Sequence, residues 1–178
     1  MKINVVRPPT GALWGKFNDR AINHDWVKRL TASFVENMDS CTDDNSMDVA
    51  LDPAWLENSG TIVPTVEGLD MEDVPLMAFN AEGAAAIKRN NLWMLSGKHR
   101  RLAVMKYIEQ LEKELHDANN AIEDIIEEKT DDEADDLFDG VEKRLNDARE
   151  LVGVLEMKIK KSSFWTVRIF DRGAWGYK

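Results

Sequence analysis

Asn91 Leu Trp Met Leu Ser Gly Lys His Arg Arg Leu Ala Val Met Lys Tyr Ile108 is a short apolar run, a glycine, and a helical pattern that opens on four consecutive basic residues. Leu92 to Leu95 predict a strand, Gly97 a turn, and the segment from Lys98 onward a helix. Backbone N–H groups in a first helical turn have no intrahelical partner, and the helix dipole is positive there. Unliganded cations at that end oppose the dipole by about 0.3–1 kcal/mol each. A bound anion removes the conflict, so the corner Ser96, Gly97, Lys98, His99 and Arg100 is read as a phosphate site. The bland alternative is a helix that merely begins with bases. His99 is the candidate for donating a hydrogen bond or moving a proton, and no other catalytic residue is assigned. Arg101 is expected to turn away, onto an acidic flank further along the chain.

Outward from that corner, residues 2 to 7 predict a first strand stopped by Pro8 and Pro9, followed by a loop through Gly11 and Gly15. Asn23 is the expected N-cap of a helix over His24 to Asn37 that packs on a sheet through Trp26, Val27, Leu30, Phe34 and Val35. Met38 to Gly60 is polar and acidic and reads as a long surface loop with one helical turn near Pro53 and Trp55. Val74 to Phe79 predicts another strand, Ala81 to Lys88 a short helix, and Trp165 to Phe170 a late β-rich strand.

The clearest periodicity lies between the corner and that last strand. Val104, Ile108, Leu111, Leu115, Ala118, Ile122 and Ile125 alternate steps of four and three, as do Phe138, Val141, Leu145, Ala148, Val152, Leu155 and Ile159. Lys129 to Asp136 is a charged turn, so two helices should fold back as an antiparallel coiled-coil hairpin. Matching small residues to large sets Ala118 against Leu145 and Leu115 against Ala148. Leu137, Leu151 and Met157 lie off the stripe, so the hairpin is expected to offer apolar surface to a protein partner or to a second copy of itself; the bland reading is an insertion that only buries its own seam. The expected fold is α/β (α+β): a small mixed sheet flanked by helices, made of residues 1–108 and 162–178, with residues 109–161 inserted.

Composition sharpens the division. The 178 residues carry a net charge of −10. Residues 109–156 hold 18 acids and 5 bases, a net of −13, which leaves 15 acids and 18 bases, or +3, for the remainder. The acidity therefore does not exclude an anionic ligand. No apolar run reaches the roughly 20 residues of a membrane span and the polar start has no signal-peptide core, so a soluble, intracellular protein without a membrane partner is expected. The single cysteine, Cys41, cannot form an internal disulfide. His24 and His116 have no ligand partner at metal spacing and read as surface histidines. Trp93 and Trp165 read as core, and Trp14 as the best platform for stacking on a base, with Trp175 a further aromatic. The Gly-x4-Gly-Lys-Ser/Thr pattern is absent, so the corner is not a Walker loop.

The strand followed by Ser96 Gly97 Lys98 His99 Arg100 Arg101 Leu102 Ala103 and a helix resembles the ParB/sulfiredoxin superfamily, whose signature here is Gly-x-(Arg/His)-Arg and a small residue. Asp19 Arg20, with the helix carrying Leu30 and Ser33, looks like that family's Asn-Pro-Arg segment and following helix. Val74 Pro75 Leu76 Met77 looks like its Pro-Ile-x-Val strand. The resemblance covers residues 1 to 108 and resumes at Trp165 to Phe170. It implies a nucleoside triphosphate, ATP or CTP, held by Gly97, His99 and Arg100, with Arg20 either a second phosphate or base contact or a solvated loop arginine. Where sulfiredoxins carry a reactive cysteine and ParB proteins a glutamate, this chain has Lys98, which excludes the thiol chemistry and favours binding over hydrolysis. Mg²⁺ is expected to accompany the nucleotide, with Asp19, Glu82 and Asp171 as candidate ligands and none assigned. Weak hydrolysis or phosphoryl transfer is one extension of this reading. The alternatives are a binder or nuclease acting on a DNA or RNA backbone, since a phosphodiester is an anion too, and an interaction module acting through the hairpin between 104 and 159. No helix-turn-helix follows, so no module for specific DNA reading is visible.

Overall fold

The computed structural model describes residues 1–9, 11–14, 20–38, 40–57, 59–89, 91–131 and 138–175. The chain is mixed α/β and divides into two compact units, Met1–Lys106 with Ser162–Lys178, and Tyr107–Lys161.

The first unit is built on a five-stranded mixed sheet. Its strands are β1 (Lys2–Asn4), β2 (Ala12–Trp14), β3 (Met47–Leu51), β4 (Leu92–Met94) and β5 (Phe164–Asp171), in the order β1-β5-β3-β4-β2. β3 lies in the middle, parallel to β5 and antiparallel to β4, and the edge strands add antiparallel (β1 on β5) and parallel (β2 on β4). Met47, Val49 and Leu51 are fully buried, with Ala50 close behind, as befits a central strand covered on both faces.

This strand corrects the expectation of a surface loop from Met38 to Gly60. Five residues of low polarity, Met47 to Leu51, sit inside an acidic stretch, and their pairing with two neighbours outweighs the local composition. The expected helical turn is present, as a 3₁₀ turn over Pro53–Trp55 capped by the Asp52 side chain. The glycine loop after Pro9 likewise contains the edge strand β2, while Gly15 lies outside the described residues.

Two strand expectations shrink for visible reasons. The Asn4 side chain accepts hydrogen bonds from the N–H groups of Val6 (3.0 Å) and Arg7 (2.7 Å), so the backbone turns and β1 stops at Asn4 instead of reaching Arg7. Val74 to Phe79 is not a strand. It makes only isolated bridges, Lys2 with Leu76 and Leu56 with Phe79, because Pro75 has no N–H to donate and offers only its carbonyl, to Lys2 N–H at 2.9 Å.

Helix α1 (His24–Glu36) is capped as expected, Asn23 Oδ1 accepting from Trp26 N–H at 2.9 Å. Its buried stripe is Val27, Thr31 and Phe34, narrower than the five apolar positions suggested: Trp26 is 50% and Val35 65% exposed. Helix α2 (Ala81–Lys88) is capped by Asn80, whose Oδ1 accepts from Gly83 N–H at 2.9 Å. Trp93 and Trp165 are buried. Phe34 stacks at a tilt on Trp165 with ring centroids 5.7 Å apart, so α1 is pinned across the sheet by aromatic contact.

Helices α3 (Lys98–Asp131) and α4 (Phe138–Ser162) supply the second unit. From Glu109 to Glu128 and from Val141 to Lys161, every residue off the counted stripe is exposed and every residue on it is buried or half-buried. Arg144 and Glu128 form an ion pair at 3.0 Å. That pair overturns the register that set Ala118 against Leu145. In that register Arg144 lies level with Asn119, nine residues from Glu128, or about 13.5 Å along the axis, beyond the reach of an arginine. Sliding one helix by a heptad brings Arg144 level with Ile126, two residues from Glu128, and keeps both stripes in phase. No described helix is long and apolar enough to cross a membrane.

Candidate functional site

The corner between β4 and α3 is held to β3 by hydrogen bonds to Asp48 that continue the ladder past the strand end, among them a long one of 3.4 Å from Ser96 N–H to the Asp48 carbonyl. Leu95 N–H donates to the Asp48 carbonyl at 2.8 Å, and Asp48 N–H donates to Ser96 Oγ at 2.8 Å. Ser96 is thus a structural strut, its hydroxyl taken by β3. Gly97 follows with φ +89°, over Met47: a Cβ built there would lie 2.6 Å from Met47 Cγ and Sδ. Only glycine combines that backbone with that contact. The first helical bond runs from Arg101 N–H to the Gly97 carbonyl at 2.8 Å, so the N–H groups of Lys98, His99 and Arg100 stand ahead of the helix ladder.

The basic side chains then diverge. Lys98 has no side-chain partner among the described residues. His99 Nε2 accepts the backbone N–H of Asn23 at 3.0 Å, which requires the neutral ring with its proton on Nδ1. That bond ties the corner to the N-cap of α1 and leaves Nδ1–H as the only ring donor for a ligand. Arg20 is exposed and without a side-chain partner among the described residues; it stands three residues before Asn23, within about 10 Å of chain.

Arg100 points toward the segment entering β3, its Nη1 donating to the carbonyls of Asn45 (2.8 Å) and Ser46 (3.4 Å). Burial pushes its pKa below the ordinary arginine value, Asp48 opposing the shift and Arg168 adding to it. It remains a cation, since a guanidinium does not titrate in the physiological range. Arg101 leaves the corner, though not for the acidic flank expected of it. Its Nε donates to the Val5 carbonyl at 3.0 Å, and its guanidinium lies 5.4 Å over the Trp14 ring. One face of Trp14 is therefore already covered by a cation, which removes that face as a stacking platform.

Beside Arg100 opens a cleft of about 350 Å³, lined by Trp26, Leu30, Ser33, Phe34, Asn37, Asn45, Arg100 and Trp165. Its lining holds one cation, Arg100, two asparagines, Asn37 and Asn45, and aromatic surface, with half-exposed Trp26 among the residues. Trp165 contributes ring surface only, since its Nε1–H is committed to the Asn45 carbonyl at 2.7 Å. A volume and lining of this kind suit one small planar ligand with a negative end.

Several participants escaped the sequence. Asp48 and Arg168 are cross-strand partners on β3 and β5, joined at 2.8 Å, and both act on the charge of Arg100. The signal was an acid and a base at alternating positions of two strands, visible only once β3 is recognised. The carboxylates proposed for a metal do not gather at the corner. Asp171 pairs with Leu51 at the far end of β3, four residues or about 13 Å from Met47, and accepts from Gly173 N–H at 2.7 Å. Glu82 opens α2, whose cap Asn80 is bonded to Trp55 beyond that same far end. Asp19 lies outside the described residues, as does the Trp175 side chain. Among the described residues no three His, Cys, Asp or Glu side chains stand together as a metal site.

Compared with protein-family models, curated proteins and solved structures, the chain matches none.

Proposed function

We propose that the first unit is a ParB/sulfiredoxin-like domain that binds a nucleoside triphosphate, its phosphates at the Gly97–Arg100 corner and its base in the cleft beside α1. The observation that carries this reading is the position of Arg100, which belongs to both places: it opens α3 and it lines the cleft. Charge and aromatic surface therefore meet at Arg100. Helix-start amides and Lys98 would meet the phosphates, His99 would donate through Nδ1, and Trp26 would stack on the base. In the resemblance, β3 takes the role first given to Val74–Met77, since it is the strand bonded to the glycine corner. Mg²⁺ would arrive on the phosphates. Asp48 is the carboxylate residue bonded to the corner; Arg168 holds its Oδ1, so it would meet the ion through Oδ2. Neither a nucleophile nor a general base is part of the proposal.

Titration calorimetry with ATP and with CTP, with and without Mg²⁺, tests it. Lys98→Ala should weaken binding about tenfold, the order of one charge-assisted contact, without lowering the melting temperature. Trp26→Ala should weaken it by a similar factor. Absence of saturable binding by both nucleotides would refute the reading.

For the second unit we propose an antiparallel two-helix coiled coil in the slid register, with Ile125 against Leu145, Ala118 against Val152 and Leu115 against Leu155. The stripe-limited burial and the Glu128–Arg144 pair support it, and each alanine still meets a branched side chain.

A further inference from the structure

Helix α4 carries a second face that its own unit leaves uncovered. Opposite the buried stripe of Leu145, Val152 and Leu155, the side chains of Leu151, Val154 and Met157 are 51%, 38% and 57% exposed. The same face bears Asp147 and Glu150 on the N-terminal side and Lys158 and Lys161 on the C-terminal side, all exposed. Within one copy this arrangement is unfavourable. Two acids at i, i+3 and two bases at i, i+3 repel along the helix, and none of the four has an ion-pair partner among the described residues. From Asp147 to Lys161 this face is sorted by sign on either side of an apolar patch, with Lys143 one turn beyond Asp147.

The sorting is self-complementary under reversal. When a second α4 is laid antiparallel with Val154 facing Val154, Leu151 meets Met157, Glu150 meets Lys158, and Asp147 meets Lys161. Each off-axis pair occurs twice and the Val154 pair once, on the axis, as twofold symmetry requires. No other alignment of two such faces places apolar on apolar and acid on base throughout. We infer that α4 pairs with α4 of a second copy of this chain, antiparallel about a twofold axis through Val154. The partner is specified by charge order: a foreign helix would need the same inverted sequence of acids, apolar residues and bases. One helix face buries little area, so the association belongs to the weak class, with a Kd on the order of 100 µM. The nucleotide reading is not needed for it.

Sedimentation of the full chain up to about 500 µM, together with cysteine crosslinking in a Cys41→Ser background, decides the matter. The expected result is a monomer–dimer equilibrium. Glu150→Lys and Lys158→Glu, each creating two like-charge contacts, should weaken it about tenfold or more, and the double exchange should restore it to within about threefold. Val154→Cys should form a disulfide-linked dimer, being on the axis. Leu151→Cys should not, since its symmetry mate lies six residues or about 9 Å away along the helices, yet it should crosslink to Met157→Cys when the two variants are mixed. All of these residues are exposed, so circular dichroism should be unchanged. A chain that stays monomeric, or a dimer indifferent to both charge reversals and lacking the Val154 crosslink, overturns the inference.

Discussion

At Gly97 two independent constraints converge on one missing carbon. The backbone is left-handed at φ +89° and the space a Cβ would need belongs to Met47, itself fully buried. Gly97→Ala should therefore cost about 1–2 kcal/mol for the backbone and about 1–3 kcal/mol for overpacking. Met47→Ala alone should destabilise by leaving a cavity, about 2–5 kcal/mol. The double variant should be more stable than the two losses combined predict, because shortening Met47 removes both 2.6 Å contacts and leaves the backbone strain and the milder approach of the residue-47 Cβ at 3.2 Å. Urea unfolding of the four proteins measures that coupling, and strict additivity would show that Met47 is not what the Cβ meets. Asp43 gives a second residue-scale prediction. Its carboxylate accepts from Thr65 Oγ1 at 2.6 Å and Val66 N–H at 3.0 Å, and the Thr65 hydrogen bond is the chief cause holding its pKa below the usual carboxylate range. A pKa depressed by folding contributes stability that is present above the unfolded value and lost as pH falls through the folded one. Asp43→Asn should melt below the wild type at pH 7, and the gap should close as the solution is acidified past that range. A gap independent of pH would mean that the charge is irrelevant there.

Elements differ in how much of themselves they advertise. Helices α1 and α3 were legible because caps, spacing and glycine act over a few residues: Asn23, the periodic apolar positions and Gly97 are local signals. The glycine corner was legible for the same reason, while the destinations of its side chains were not. Arg100 and Arg101 are claimed by carbonyls of Asn45 and Val5, more than fifty residues away in sequence, and no spacing rule anticipates that. Strand β3 was hidden because a central strand needs only five apolar-leaning residues, and Met47 to Leu51 are surrounded by the acids of a loop. Val74 to Phe79 had the composition of a strand but spent its pairing capacity on a proline. The heptad stripe was legible in phase and not in register, since sliding by seven residues keeps the stripes facing and still leaves five apolar matches, from Leu111 with Ile159 to Ile125 with Leu145; the Glu128–Arg144 ion pair separates the two. Cysteine pairs test the choice in a Cys41→Ser background. Ile125→Cys with Leu145→Cys should oxidise to an intramolecular disulfide, and Ala118→Cys with Leu145→Cys should not, about 10 Å of axial offset lying between those two. The reverse outcome would restore the small-against-large register.

Over the whole molecule the decisive property is the separation of charge. Residues 109–156 carry −13 and the remainder +3, within a net of −10. A mononucleotide and a nucleic acid both present phosphate, but they sample this distribution differently. The nucleotide needs only the corner and the cleft, so its binding should change by no more than about tenfold between 50 and 200 mM salt, two cations being engaged. A duplex extends tens of ångströms past any single site, so it answers to the charge of the whole chain, −10, and not to the basic corner alone. With a Debye length of about 8 Å at physiological ionic strength, nearby repulsions are only partly screened, and a surplus of three positive charges is too small to offset them. The full chain should therefore leave labelled duplex DNA unbound at about 150 mM salt while still binding its nucleotide. Fluorescence anisotropy with a 20-base-pair duplex, run in parallel with nucleotide titration across that salt range, makes the comparison. Saturable duplex binding whose affinity falls with salt at a slope of about four or more would mean that several bases contact the backbone together. The basic corner would then be one part of a phosphodiester-binding surface, and the single-nucleotide reading would fail.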